Sequence, residues 1–193
     1  VTGTITATDS LGMTGSITFS VNINAPISLG AISDLVFTQG NAAASDSITA
    51  TGGTNPLTYS LDSATSRFSI NGTTGKVSVT SAVAAGTYYE SITATDAVGA
   101  VAHVVLKVIV NAPLSFTGGA DITTTFGRSD SSTFTVTGGT GSHTYAIAPT
   151  QSGITINTST GAVTVSSSLT AGTYYETVTV TDSKGYTLTK ALT

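Results

Sequence analysis

The sequence predicts an all-β protein made of tandem domains of one kind, and three observations lead to this prediction. Charged residues make up only 8% of the 193 residues, and the many β-branched and hydroxyl side chains favour half-exposed strands over helices. Short β-branched or aromatic runs alternate with Gly, Asn and Asp clusters, as in proteins built from short strands. The same motifs also return after 86 or 87 residues.

The internal repeat predicts the domain boundaries. The Gly-Thr-Tyr-Tyr-Glu motif that begins at Gly86 returns at Gly172, an offset of 86 residues. Asn-Ala-Pro occurs at both Asn24 and Asn111, an offset of 87 residues. We therefore predict that residues 1–25 are the C-terminal strands of a preceding repeat, that residues 26–112 form a complete repeat, and that residues 113–193 form a second repeat truncated in its last strand. These are called repeat 1 (26–112) and repeat 2 (113–193) below.

Each repeat has the strand content of a β-sandwich. About seven short strands in about 86 residues are typical of an immunoglobulin-like sandwich. In the strand after Gly86, alternation places Tyr88, Glu90 and Ile92 on the core face and Tyr89 on the solvent face. The same parity applies after Gly172, so simple alternation aims Glu90 and its equivalent, Glu176, toward the core. A carboxylate there would need partners, and we therefore expect both at the rim near the strand start, bonded to a Tyr hydroxyl or a backbone N–H. The Asn-Ala-Pro linkers are short and contain proline, so successive repeats should follow one another with little slack.

The repeat alignment also leads to expectations for the first and last residues of the sequence. We expect residues 1–24 to form a hairpin outside the core of residues 26–112, with an apolar face around Ile5, Ile17 and Phe19. Because Thr193 aligns with Lys107, the counterpart of the apolar strand end at 108–110 lies beyond the sequence. Two readings remain open, a longer parent chain or a fibre in which a neighbouring chain donates the missing strands.

Several repeated motifs resemble those of a known family. The string runs from Gly-Gly through a Tyr and an Ile-Asn-x-x-x-Gly turn to Thr-Asp-x-x-Gly, and in the first copy it comprises Gly52, Gly53, Tyr59, Ile70, Asn71, Gly75, Asp96 and Gly99. In these positions the chain resembles the bacterial putative-Ig and cadherin-like tandem repeats of surface adhesins and extracellular fibre proteins. The resemblance implies tandem immunoglobulin/cadherin-like β-sandwich domains, an extracellular or cell-surface location, and a role as spacer, stalk or docking surface.

Calcium is the one cofactor that the cadherin-like part of this resemblance raises. Asp9, Asp34, Asp96 and Asp121 are the candidate ligands, because they recur near the two predicted junctions. The linkers themselves carry no carboxylate, whereas Ca²⁺ takes six to eight oxygen ligands, several of them anionic. We therefore expect no firm metal site and no cofactor, and we expect these aspartates to cap turns by accepting backbone N–H groups.

The sequence contains only weak indications of covalent modification or catalysis. Asn71 and Asn157 begin equivalent Asn-x-Ser/Thr sequons and are candidate glycosylation sites, although Asn is also an ordinary turn residue. The two histidines, His103 and His143, have no counterparts in the other repeat, and the sequence contains no Gly-x-Ser-x-Gly nucleophile motif. We predict that the chain is not an enzyme.

Composition narrows the classes of partner. Six scattered basic residues and a net charge of −4 exclude a phosphate-binding stripe, so nucleic acid is not an expected partner. The sequence contains no Cys and no apolar run long enough to span a membrane. We predict a structural repeat of a secreted or cell-surface adhesin or fibre, which acts as a semi-rigid stalk and contacts neighbouring repeats of the same chain or identical chains.

Two alternative functions stay open at this point. One is a filament subunit that assembles by strand complementation. The other is a module that binds a surface glycan or protein through its loops. The absence of Trp disfavours the glycan reading, because sugar sites usually need an aromatic platform.

Overall fold

The computed structural model describes residues 1–63 and 66–193, and within these ranges it contains nineteen β-strands and no helix. The predicted all-β class is therefore confirmed. The described residues accordingly include no helix that could cross a membrane.

The first two strands form an isolated hairpin. Strand β1 (Thr2–Thr8) pairs antiparallel with β2 (Thr14–Ser20), and neither pairs with any other strand in the part of the chain that the structure describes. Ile5 is 61% exposed and Ile17 is 68% exposed, and neither belongs to a core cluster. The expectation that these side chains lie outside the core of residues 26–112 is confirmed.

Repeat 1 folds into facing sheets. Its strands are β3 (Ser28–Leu29), β4 (Leu35–Thr38), β5 (Ala43–Ala44), β6 (Ala50–Thr51), β7 (Thr58–Leu61), β8 (Phe68–Ile70), β9 (Val77–Val79), β10 (Gly86–Thr95) and β11 (Val101–Asn111). One sheet has the order β4-β11-β10-β7, in which β4 runs parallel to β11 and the other pairs are antiparallel. The opposite layer contains the β5-β9-β8 sheet and the β3-β6 pair.

The core of repeat 1 lies between these layers. Phe37 from β4, Ile92 from β10 and Leu106 from β11 meet Val77 and Val79 from β9, and all five are at most 2% exposed. Inward residues alternate with outward ones along β10, which is the pattern expected of a strand with one buried face. Removal of this apolar surface from water is the main force that holds the sandwich together.

Repeat 2 repeats this plan. Its strands are β12 (Ser115–Phe116), β13 (Asp130–Thr133), β14 (Val136–Thr137), β15 (His143–Ala148), β16 (Ile154–Ile156), β17 (Ala162–Val165), β18 (Glu176–Asp182) and β19 (Thr187–Leu192). The β15-β18-β19 sheet corresponds to β7-β10-β11, and β13-β17-β16 corresponds to β5-β9-β8. A separate apolar cluster fills it, with Phe134, Val163, Val178 and Val180 fully buried. Residues 122–125, which align with β4, form no strand.

The tyrosine parity predicted from the sequence is confirmed, with one difference. Tyr89 and Tyr175 are exposed, whereas Tyr88 and Tyr174 pack against the two cores but are only half-buried. The reason is the phenol group: Tyr88 Oη donates to the Ala84 carbonyl at 2.9 Å, and Tyr174 Oη does the same to Thr170. Each ring therefore ends at the rim of its core, where its hydroxyl is satisfied.

Candidate functional site

The junction between the repeats holds a buried chain of hydrogen bonds. Thr38, at the end of β4, donates from Oγ1 to Asp182 Oδ2 at 2.6 Å, and its Oγ1 lies 2.8 Å from Thr140 Oγ1. The single hydroxyl hydrogen of Thr38 goes to Asp182, so Thr140 must be the donor in the contact between the two threonines. Asn111 Nδ2 in turn donates to Thr140 Oγ1 at 3.0 Å. A directed chain therefore runs from Asn111 through two threonines to the Asp182 carboxylate.

Burial makes these contacts energetically important. Thr38, Thr140 and Asp182 are 2%, 6% and 4% exposed. A buried polar group without a hydrogen-bond partner would carry a desolvation penalty. Each of these three side chains avoids that penalty through a hydrogen bond to the other repeat or to a neighbouring residue. Hydrogen bonds to a carboxylate are also stronger than neutral ones. The junction thus resembles a protein interior rather than a flexible linker.

Asp182 also organises its own loop. Its Oδ1 accepts the backbone N–H groups of Lys184 and Tyr186, while Oδ2 accepts that of Thr140 at 2.8 Å. Burial acts to raise the pKa of Asp182, but hydrogen bonds from Thr38 and from these backbone groups outweigh it and leave the pKa below its ordinary value. The carboxylate is therefore held ionised at the centre of the junction.

The Gly-Gly motif explains the close approach of the linker. Gly138 has a φ of +75°, and a Cβ atom there would lie 2.0 Å from the Pro113 carbonyl oxygen. Gly139 donates its N–H to the Ala112 carbonyl at 2.8 Å. Only glycine combines this backbone conformation with so close a contact, so the Asn-Ala-Pro and Gly-Gly motifs form one structural unit.

An apolar contact completes the junction. Tyr186, in the loop that Asp182 organises, packs against the core cluster of repeat 1 although it belongs to repeat 2. Its equivalents at the same place in the Asp-x-x-Gly-x turn are Ala100 and Met13. Of these three turns, the one at this junction has the aromatic side chain.

Half of the same arrangement recurs at the other end of repeat 1. Asn24 Nδ2 donates to Thr54 Oγ1 at 2.9 Å, and the Thr54 N–H donates to Asp96 Oδ2 at 2.9 Å. The Thr54 hydrogen bond is the main cause that holds the pKa of Asp96 below its ordinary value. Gly52 approaches the Pro26 carbonyl oxygen as Gly138 approaches Pro113. Sequence reasoning missed Thr54 and Thr140, although each follows its Gly-Gly motif directly.

Two of the four candidate calcium ligands cap turns. Asp9 Oδ1 accepts the N–H groups of Leu11 and Met13, and Asp96 Oδ1 accepts those of Val98 and Ala100. This is the same Asp-x-x-Gly-x turn that Asp182 forms in repeat 2. Asp96 thus uses both of its oxygens on backbone donors.

The other two candidates have different partners. Asp34 forms an ion pair with Lys107 at 3.2 Å, and Asp121 Oδ1 accepts the Thr193 N–H at 2.8 Å. Lys184 lines a cavity of about 300 Å³ together with Asp34 and Asp46. The side chain of a lysine, Lys107 or Lys184, therefore supplies positive charge near these two carboxylates. Within the described residues, no three His, Cys, Asp or Glu side chains are grouped as metal ligands. That these aspartates bind no calcium stays a prediction.

The two sequons occupy equivalent exposed turns. Asn71 Oδ1 accepts the N–H groups of Thr73 and Thr74, each at 3.0 Å. Asn157 Oδ1 accepts those of Ser159 and Thr160 in the same way. Both side chains therefore cap their turns through Oδ1. Glycosylation of Asn71 and Asn157 stays a prediction.

His103 belongs to an exposed polar cluster on repeat 1. Asp62 accepts the hydroxyl hydrogens of Ser91 and Thr93, and these bonds are the main causes of its lowered pKa. His103 Nδ1 lies 2.8 Å from Thr93 Oγ1, whose only hydrogen already goes to Asp62. His103 must therefore donate to Thr93, which is the reverse of what a general base does to a nucleophile. In repeat 2, His143 Nε2 bonds the Gly138 carbonyl instead.

The core carboxylates differ between the repeats. Glu90 and Glu176 are 5% and 3% exposed, so both point inward as alternation indicates, and the expected rim position is wrong for both. Glu90 Oε2 accepts the Ser63 hydroxyl at 3.1 Å, but Pro149 stands at the equivalent position in repeat 2. Both oxygens of Glu176 are buried and have no hydrogen-bond partner among residues 1–63 and 66–193, and burial raises the pKa of this carboxyl.

The solved structures that are similar to this chain agree on its fold. No family model and no curated protein matches the sequence. Among solved structures, the chain is similar to the eight N-terminal immunoglobulin domains of Down Syndrome Cell Adhesion Molecule, with a TM-score of 0.56 and 14% identity over 98% of this chain and 30% of that one. It is also similar to extracellular domains 3–5 of Drosophila OTK, with a TM-score of 0.50 and 10% identity over 92% of this chain and 65% of that one.

These similarities show the fold alone. The chain spans less than two thirds of the length of either structure. Protocadherin Gamma B2 extracellular cadherin domains 3–6 also match, with 16% identity over 93% of this chain and 54% of that one, but a TM-score of 0.40 carries no argument for a cadherin-like arrangement. The chain has an all-β, immunoglobulin-like β-sandwich fold, in tandem, like that of extracellular adhesion domains.

Proposed function

We propose that this chain is a non-enzymatic structural segment of a secreted or cell-surface adhesin or fibre, and that it acts as a semi-rigid spacer. In this proposal residues 26–112 and 113–193 are successive sandwich domains, as the repeat spacing predicts. The bacterial adhesin resemblance of the repeated motifs and the likeness of the fold to extracellular adhesion domains support the proposal.

The buried Thr38–Asp182 hydrogen bond carries this proposal. A spacer transmits distance or force only if bending between its domains is resisted. Here an ionised carboxylate of repeat 2 is buried against a hydroxyl of repeat 1, so bending would expose Thr38 or leave it without a partner. The Gly138–Pro113 contact and the Tyr186 packing oppose the same motion.

The test is a measurement of bending between the repeats. Thr38→Val keeps the side-chain shape but removes both junction hydrogen bonds. Its matched control is Thr125→Val, at the equivalent but exposed position of repeat 2. We expect small-angle scattering and NMR residual dipolar couplings to show one fixed inter-repeat orientation for the natural chain and for Thr125→Val, and a broad distribution for Thr38→Val. Independent tumbling of the repeats in the natural chain would contradict the spacer proposal.

A further inference from the structure

The outward face of the β7-β10-β11 sheet in repeat 1 differs from the corresponding faces of its neighbours. The residues that β11 presents on this face are large or basic, and they are Val101, His103, Val105 and Lys107. The equivalent positions are 187, 189, 191 and 193 in repeat 2 and 14, 16, 18 and 20 in the hairpin, and all eight hold Thr, Ser or Ala. Repeat 1 therefore presents apolar and basic side chains at positions where both neighbours have small, uncharged ones.

An exposed aromatic ring and an exposed aliphatic side chain lie close together on this face. Tyr89 is 67% exposed and Val105 is 56% exposed. Tyr89 pairs with Lys107 across the two strands, and Ser91, the next outward residue of β10, pairs with Val105. Because Ser91 is small, it does not cover the two apolar side chains. Apolar surface is therefore open to a ligand, and the tyrosine ring can act as the aromatic platform in a chain that has no Trp.

Polar groups with spare hydrogen-bonding capacity adjoin that surface. Asp62 extends from the end of β7 over β10, where its carboxylate accepts the hydroxyl hydrogens of Ser91 and Thr93. Each carboxylate oxygen can accept two hydrogen bonds, so each keeps a lone pair for a ligand. His103 donates its Nδ1 hydrogen to Thr93, which makes Nε2 an acceptor in the neutral ring. The Lys107 ammonium adds three donors.

The charges of this face occur in pairs of opposite sign. Lys107 Nζ lies 3.2 Å from Asp34 Oδ2, and His103 Nδ1 lies 3.8 Å from Asp62 Oδ2. An anionic ligand would be repelled by the two carboxylates, and a cationic one would be repelled by Lys107. A neutral ligand that has both donors and acceptors meets neither penalty. Charge complementarity therefore favours an uncharged ligand that is rich in hydroxyl groups.

We propose that this face of repeat 1 binds a neutral glycan. One sugar ring packs its C–H face against Tyr89 and Val105, and hydroxyl groups donate to Asp62 and His103 Nε2. Tyr89 and Thr93 are four residues apart on β10, or about 13 Å, which is longer than one sugar ring. The ligand is therefore an oligosaccharide that runs along β10. This binding activity is additional to the spacer role and does not depend on it.

Binding to immobilised glycans tests the proposal. The probes are neutral oligosaccharides of glucose, galactose, mannose and N-acetylglucosamine, together with acidic oligosaccharides that carry sialic or uronic acid. We expect the natural chain to bind at least one neutral class, and Tyr89→Ala to lower that affinity at least about tenfold. The matched control is Tyr175→Ala, which removes the equivalent exposed ring of repeat 2 and should change the affinity less than about twofold.

Two further measurements locate the site. Val105→Thr introduces the residue that the hairpin has at the equivalent Thr18, and it should weaken binding at least about threefold. This position and that of Tyr89 are exposed, so substitutions there should alter stability little. In an NMR titration with the neutral oligosaccharide that binds, the amide signals of Ser91 and Val105 should shift. Those of their equivalents in repeat 2, Thr177 and Ala191, should not.

Several outcomes would overturn the proposal. They are no binding to any neutral glycan of the array, binding confined to acidic glycans, equal losses from Tyr89→Ala and Tyr175→Ala, and amide shifts confined to repeat 2. A dimer of the natural chain in sedimentation velocity that Tyr89→Ala dissociates would assign this face to a second copy instead. None of these outcomes changes the inter-repeat orientation within one chain, so the spacer proposal is tested separately.

Discussion

The hydroxyl of Thr38 is buried against the carboxylate of Asp182, 144 residues further along the chain, with the two oxygen atoms 2.6 Å apart. Asp182 is at the same time the cap of its own turn, through the N–H groups of Lys184 and Tyr186. One carboxylate therefore links the local structure of repeat 2 to its orientation on repeat 1. Any change that alters its charge should affect both.

The junction should weaken in acid. The folded-state pKa of Asp182 is below its ordinary value, so its contribution to stability is complete above the unfolded pKa of about 4 and is lost as the pH falls through the lower folded pKa. We expect urea unfolding of repeat 2 to show falling stability below about pH 4. Asp182→Asn should be less stable at pH 7 and should have a flatter pH profile. An unchanged profile in the variant would mean that Asp182 is not the group responsible.

The tyrosine pair tests the strand register. Tyr88→Ala should destabilise repeat 1 by about 3 kcal/mol, because it removes a half-buried ring and the hydrogen bond to Ala84. Tyr89→Ala removes an exposed ring and should cost less than about 0.5 kcal/mol. Chemical denaturation measures both. Equal losses would contradict the register.

The strand faces could be predicted from the sequence because alternation is a local property. Alternation alone places Glu90 and Glu176 on the inward face, and both are buried there, although we expected them at the rim because a buried carboxylate needs partners. The Asp-x-x-Gly turns were likewise within reach, since the capping bonds span only two and four residues.

The Thr38–Asp182 contact could not be predicted in this way. Thr38 lies near the one length change between the repeats, where alignment is ambiguous, and its partner belongs to the other repeat. The lack of a hydrogen-bond partner for Glu176 could not be predicted from the sequence either. Only the structure shows that Ser63 reaches Glu90, and therefore that Pro149 leaves its equivalent without a donor.

Glu176 should oppose folding at neutral pH. Burial raises its folded pKa, so the ionised form destabilises the fold above the unfolded pKa and this penalty disappears as the pH falls below that value. Glu176→Gln should therefore stabilise repeat 2 at pH 7 by about 1 kcal/mol, the scale of a buried polar group. The gain should vanish near pH 3.

The control is Glu90→Gln, because Glu90 has a hydroxyl partner in Ser63. That variant should show no gain at pH 7. Equal gains in the two repeats, measured as unfolding midpoints in urea, would show that the missing partner of Glu176 is not the cause.

The Gly-Gly motif should tolerate no side chain at its first position. Gly138→Ala places a Cβ atom 2.0 Å from the Pro113 carbonyl oxygen in a backbone conformation with positive φ. Gly185→Ala is the matched control, since Gly185 has a φ of +84° but no atom within 4 Å of the added Cβ. We expect a loss of about 1 kcal/mol for Gly185→Ala and a clearly larger loss for Gly138→Ala. Dipolar couplings should show a changed inter-repeat orientation only for Gly138→Ala.

Folding should not depend on calcium. Ca²⁺ needs six to eight oxygen ligands, but Asp96 uses both carboxylate oxygens on backbone N–H groups, and Asp34 pairs with Lys107. A metal ion would have to displace these donors, so its binding energy would be offset by the lost bonds. Thermal unfolding with about 5 mM calcium and with excess chelator should therefore give midpoints within about 2 °C of each other.

Substitution of the aspartates separates the two roles that they could have. Asp96→Asn retains an oxygen that can cap the turn but removes the charge that a calcium site requires, so it should change the unfolding midpoint by the same amount with calcium and with chelator. Asp34→Asn breaks the Lys107 ion pair, which is exposed and contributes less than about 1 kcal/mol. A midpoint that falls by many degrees on chelation in the natural chain, and no longer responds to chelation in Asp96→Asn, would establish calcium ligation at this junction and overturn the turn-capping assignment.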